Sequence, residues 1–156
     1  MVKVPDFETL EEAKEWLREH LKEGARCPCC TQLAKVYSRP VYGTMASHLI
    51  NLYNLDKSSD ERFFHVSAFC PKHPGDFAKL VYWELIEERP KDEDNTEKRT
   101  SGYWAITDRG KRFVRNQTTI MSHVKLYDSR VMGFEGKSVD IKTILGKKFD
   151  YEELMK

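Results

Sequence analysis

Lys79-Leu80-Val81-Tyr82-Trp83-Glu84-Leu85-Ile86-Glu87-Glu88 and, after a charged gap, Gly102-Tyr103-Trp104-Ala105-Ile106-Thr107-Asp108-Arg109-Gly110-Lys111-Arg112-Phe113-Val114 is the text on which the fold turns. Phe77, Leu80, Val81 and Trp83 recur at helical spacing behind Gly75-Asp76, which predicts a helix over Asp76–Trp83. Leu85–Glu87 reads as a short strand. Glu88–Ser101 contains no apolar residue except Pro90 and reads as a solvated loop. Tyr103–Ile106 returns as a strand, and Thr107-Asp108 caps a helix over Thr107–Arg115 whose inward side is Phe113 and Val114.

Upstream, Phe63–Val66 has strand character, and Asp56–Asp60 is a polar loop. Thr44 is placed to cap a helix that buries Ala46, Leu49, Ile50, Leu52 and Tyr53. Residues 26–43 read as irregular. Thr9 followed by Glu12 is a capping-box pair. Leu10, Ala13, Trp16, Leu17 and Leu21 then predict an amphipathic helix over residues 10–23, with Gly24 at its C-terminal stop. Downstream, Ser122–Tyr127 and Val131–Phe134 alternate around Asp128-Ser129 as a hairpin. Val139–Leu145 and Tyr151–Met155 follow as two helices separated by Gly146. The expected class is α+β, with residues 1–43 holding the N-terminal helix and a cysteine knuckle, 44–115 the helix–strand block, and 116–156 the hairpin and helices. That last region either packs on the core or forms a homodimer surface.

The chain has 156 residues, with 26 Lys+Arg against 25 Asp+Glu. Its 3 Trp, 7 Tyr and 8 Phe supply anchors for a packed core, which excludes a wholly disordered chain. No run approaches the ~20 apolar residues of a bilayer helix, so no membrane partner is expected. The first residues lack a basic-then-apolar signal segment. The expectation is a soluble, cytoplasmic protein. The net charge of +1 conceals a polarity: residues 98–148 carry twelve basic and four acidic side chains. Such a segment is what a polyanion-binding face looks like before folding, and equally what a solvated surface looks like.

In a reducing compartment four cysteines argue for metal or free thiols before disulfides. Cys27-Pro28-Cys29-Cys30 has the spacing that lets two thiolates face one tetrahedral ion from a tight turn. Cys70-Pro71-Lys72-His73 repeats the knuckle with His in the last place. Cys27, Cys30, Cys70 and His73 are therefore the expected ligands of a structural Zn2+, with Cys29 as a spare able to exchange roles with its neighbour. No HExxH motif or comparable base is present for a catalytic zinc.

The two stretches quoted above resemble the winged-helix DNA-binding family. In that family a leucine–x–x–tryptophan–glycine–leucine–isoleucine helix end meets an isoleucine–threonine–x–x–glycine turn after the wing. Leu80, Trp83, Leu85 and Ile86, then Ile106, Thr107 and Gly110, carry the likeness. Glu84 stands where the family usually has glycine, so the turn is expected to be made differently. The whole chain is also similar to small phage-borne proteins that join a cysteine knuckle to a winged helix. The resemblance implies a winged helix-turn-helix core, a zinc-knuckle staple and a C-terminal hairpin plus helices. It also implies a transcriptional regulator of phage or mobile-element origin bound to double-stranded DNA.

In that reading the groove-facing residues are Lys72, Lys79 and Tyr82, the wing supplies Arg89, Lys91, Lys98 and Arg99, and the following helix supplies Arg109 and Lys111. Asp92, Glu93, Asp94 and Glu97 share the wing and repel phosphate. They favour the rival reading, a phage factor that docks a host protein through the same face. Trp83, Trp104, Phe77 and Phe113 read as core. No Gly-rich phosphate loop, nucleophile elbow or carboxylate pair appears, so no enzyme is expected.

Overall fold

The computed structural model describes residues 2–70, 72, 75–91 and 101–156. The chain is α+β and divides into two compact units. The first combines Met1–Arg39 with His123–Glu135; the second combines Pro40–Ser122 with Gly136–Lys156. Among the described residues no helix is long and apolar enough to cross a membrane.

The first unit opens with α1 (Leu10–His20), whose N-cap Thr9 accepts the Glu12 N–H at 3.2 Å, the first half of the expected capping box. The Glu12 carboxylate returns to the Glu8 N–H at 3.3 Å. Gly24, at φ +94°, donates to the His20 carbonyl at 2.9 Å and stops the helix. Leu10 was expected on the inward face but is 55% exposed, while Ala13, one turn on, is buried. The stretch expected to be irregular forms β1 (Ala25–Arg26), β2 (Leu33–Ala34) and β3 (Tyr37–Pro40). The first two pair antiparallel, with Ala25 opposite Ala34 and Arg26 opposite Leu33.

The hairpin is β7 (Ile120–Tyr127) and β8 (Arg130–Val139), in a sheet of order β3-β7-β8. It turns at Asp128 and Ser129, both at positive φ (49° and 60°), which fits a primed two-residue turn matched to strand twist. Its tip belongs to the first unit and its base to the second.

In the second unit α2 (Gly43–Ser58) is the central element. Met45, Ala46, Ser47, Leu49, Ile50, Leu52 and Tyr53 are all buried, which puts apolar side chains on more than one face, as a helix packed on several sides requires. It packs against β6 (Tyr103–Ile106), α3 (Asp108–Val114), α4 (Ile141–Leu145), α5 (Tyr151–Leu154) and a 3-10 helix, Phe77–Trp83. Thr44 does not cap α2. The N-cap is Tyr42, without a side-chain bond, and a Cβ on Gly43 would lie 3.2 Å from the Ile144 carbonyl. The close approach of α4, and not a hydroxyl cap, sets this helix start.

β4 (Phe64–His65), β5 (Ile86–Glu88) and β6 form an antiparallel sheet in the order β4-β6-β5. Phe64 faces Trp104 and Ile86 faces Ile106. The expected helix over Asp76–Trp83 is present but winds as 3-10, with Phe77, Leu80 and Trp83 buried at a spacing of three. Val81, expected inward, is 38% exposed for the same reason.

Candidate functional site

The first knuckle is a formed structure. β1 and β2 bring Cys27 and Gln32 together, and the Cys27 N–H donates to the Gln32 carbonyl at 2.8 Å. The Thr31 N–H donates to the Cys27 carbonyl at 3.0 Å, and Thr31 takes φ +65° to close the turn. This folding turns the Cys29 N–H onto the Cys27 sulfur at 3.4 Å. Backbone N–H groups of Cys30 and Cys29 hold the Cys27 thiol below its usual pKa, because a donor favours the thiolate. Cys27 is half-buried, while Cys29 and Cys30 are exposed. Cys27 and Cys30 line one hollow of about 280 Å³ with Leu17, Leu33, Lys35 and Tyr37.

The other nominated ligands are differently placed. Cys70 lies in the second unit at 2% exposure, beside the Phe69–Phe77 ring contact. Burial pushes its thiol up to about 12. His73 lies outside the described residues. Among the described residues no three His, Cys, Asp or Glu side chains gather around one point able to hold a metal.

The helix–strand block is locked by the residues that carried the family likeness. Trp83 is buried, and its indole N–H donates to the Met121 carbonyl at 2.8 Å. Thr107 is the N-cap of α3. Its hydroxyl accepts the Gly110 N–H at 3.0 Å and donates to the Glu84 carbonyl at 2.6 Å, while its N–H reaches the Leu85 carbonyl at 3.1 Å. Gly110 is required by space: a Cβ there would stand 2.1 Å from the Leu85 carbonyl oxygen. Glu84 makes that turn in the left-handed conformation, at φ 60° and ψ 28°.

The nominated nucleic-acid contacts divide by their partners. Lys79 pairs with Asp76 at 2.5 Å, and Tyr42 donates its hydroxyl to the same carboxylate. That bond pushes the Tyr42 phenol up to about 12. Arg109 meets Glu84 at 3.6 Å, and Lys111 meets Asp56 at 3.4 Å. Arg89, just after β5, lies over the Tyr103 ring at 3.8 Å, and the Ser101 N–H donates to Glu88 at 2.7 Å. Tyr82 is half-buried, and Lys72 and Lys91 are exposed. Lys98 and Arg99 lie outside the described residues.

Sequence reasoning missed a polar cleft in the second unit. Asp56, Arg62, Glu87, Thr107, Asp108 and Lys111 line it, and Arg62 pairs with Glu87. These residues come from four separate segments, so no local spacing announces them. The chain matches no family model, no curated protein and no solved structure.

Proposed function

We propose that the second unit is a winged-helix module that binds double-stranded DNA, as a cytoplasmic transcriptional regulator of phage or mobile-element origin, and that Cys27 and Cys30 hold a structural Zn2+ in the first. The observation that carries the DNA reading is the strand order β4-β6-β5, with the Phe77–Trp83 helix leading directly into β5. The exposed Val81 side of that helix is the face this reading offers to a duplex. Lys72, Arg89 and Lys91 supply phosphate contacts, and Lys79 and Tyr82 face the groove. The zinc reading rests on the donor set: a CxxC turn whose backbone already stabilises a thiolate.

Duplex binding measured against salt tests the proposal. Three phosphate contacts predict about a forty-fold loss of affinity for a four-fold rise in salt. No binding at low salt retires the DNA reading. A second reading has its own observation. Lys79, Arg109 and Lys111 already have carboxylate partners within the chain, which lowers their gain from phosphate and favours a host protein as the ligand. Capture of one host protein from nuclease-treated lysate, lost on Val81→Asp, identifies that case.

A further inference from the structure

Cys27, Cys29 and Cys30 share one turn between the paired strands β1 and β2. The Thr31 N–H closes that turn on the Cys27 carbonyl at 3.0 Å. The Cys29 and Cys30 thiols both lie within hydrogen-bonding reach of the Cys27 sulfur. A closed turn holds residues three apart with their Cα atoms less than about 7 Å from each other. A disulfide spans Cα separations of about 4.4–6.8 Å, so Cys27 and Cys30 can join without parting the strands. Cys29 is worse placed for a bond to either neighbour. One residue separates it from Cys27 and none from Cys30, so either ring would be smaller and strained. Cys30 is exposed and Cys27 half-buried, and both line one hollow. Lys35 and Asp128 line it too, and offer one charge of each sign. Those charges complement the carboxylate and ammonium groups of a small peptide. Cys70, by contrast, is 2% exposed in the other unit.

We propose that Cys27 and Cys30 form a reversible thiol–disulfide switch whose oxidant is a low-molecular-weight peptide disulfide. Cys30, the exposed member, meets that molecule first. Its sulfur attacks one sulfur of the small disulfide, and the S–S bond there breaks. A mixed disulfide forms on Cys30, and one small thiol leaves with the proton that Cys30 gave up. The Cys27 sulfur, already within reach, then attacks the Cys30 sulfur. The internal disulfide forms, and the second small thiol leaves with the Cys27 proton. The chain loses two electrons, and the small disulfide is reduced to two thiols. This exchange needs no metal. A consequence for metal rests on the zinc reading above: a disulfide has no thiolate to give an ion, so oxidation releases whatever the pair holds.

The experiment uses the full chain, reduced and freed of metal, then exposed to glutathione disulfide as the probe. Free thiols are alkylated at intervals, and peptide mapping by mass spectrometry locates each bond. The expected product is a monomer with a Cys27–Cys30 bond and with Cys29 and Cys70 still reduced. Added reduced glutathione should reverse it. The folded chain should close the bond about ten-fold or more faster than the same chain in urea, because the turn positions the sulfurs. Cys27→Ser should leave glutathione trapped on Cys30, while Cys29→Ser and Cys70→Ser should behave as the parent chain. Mapping of the parent chain needs no variant, so the test stands even if a variant does not fold. A bond that includes Cys29, a bond between chains, a mixed disulfide that persists on the parent chain, or equal rates with and without urea overturns the switch. Zinc content is measured on the reduced chain separately. A chain that forms the bond but binds no zinc when reduced supports the switch and retires the zinc reading alone.

Discussion

The two units are held together by different physics. Among the described residues the second unit buries Met45, Leu49, Ile50, Phe77, Trp83 and Phe113 with many neighbours, and side chains of that size each contribute about 1.5–3 kcal/mol on leaving water. The buried apolar residues of the first unit are Ala13, Leu21, Ala25, Ala34, Val124 and Leu126, half of them alanine. Its strands β1 and β2 are two residues each. A core that small rarely offsets the chain entropy of ordering its residues, and a cross-link is the usual remedy. The knuckle sits in the unit that needs one. In the zinc reading the cysteine pair is therefore what would complete the weak core, while the second unit's core of large buried side chains has no such need.

Metal removal breaks this comparison most sharply. If zinc supplies the folding energy of the first unit, chelation should cost that unit about 3 kcal/mol or more. Hydrogen exchange of the amides in residues 25–36 should then accelerate by about a hundred-fold or more, since 1.4 kcal/mol is a factor of ten in the opening equilibrium. Amides of Leu49, Ile50 and Val114 should keep their protection. Equal acceleration in both units would show that the cores are not independent. Gly110→Ala probes the other side. The new methyl would collide with the Leu85 carbonyl, so α3 must withdraw from β5 at a cost of about 3 kcal/mol. Chemical denaturation should show the loss, and zinc content should not change. Thr107→Ala is smaller, at about 1–2 kcal/mol, because it removes an N-cap and the bond to the Glu84 carbonyl; Thr107→Ser should restore most of it.

The parts legible in the sequence are those fixed by neighbours in the chain. The strand Tyr103–Ile106, the Thr107 and Thr9 caps and the Asp128-Ser129 turn each depend on two to four adjacent residues. The spacing of Phe77, Leu80 and Trp83 by threes was itself a 3-10 signal, but Val81 beside Leu80 reads as an α-helical pair until its exposure is known. What local spacing does not carry is pairing at a distance. Strands of two residues show no alternation, so β1 and β2 leave no pattern to read. Whether Lys111 faces solvent or Asp56, fifty-five positions earlier, is decided by how α2 and α3 pack. The nucleic-acid candidates were chosen by charge and position; the carboxylates that meet Arg109 and Lys111 come from such packing, whereas Asp76 stands only three residues before Lys79.

The smallest change sharpens the comparison at the turn the family likeness turns on. Glu84 holds a left-handed backbone that costs a side-chain-bearing residue about 1 kcal/mol or slightly more. Glycine removes that strain but gives the unfolded chain extra freedom worth about 0.4–1 kcal/mol. The lost Glu84–Arg109 contact at 3.6 Å, made by a largely solvated carboxylate, contributes little against these. The Glu84 N–H bond to the Val81 carbonyl and the Thr107 bond to the Glu84 carbonyl are both backbone features that glycine retains. Glu84→Gly should therefore stabilise the second unit by about 0.5 kcal/mol, read as a higher urea midpoint at unchanged slope. It also removes a negative charge beside the helix and releases the Arg109 guanidinium. In the DNA reading, duplex affinity rises with stability; in the host-protein reading, stability rises alone. A fall in the midpoint would mean that the carboxylate does more for the turn than its exposed position allows.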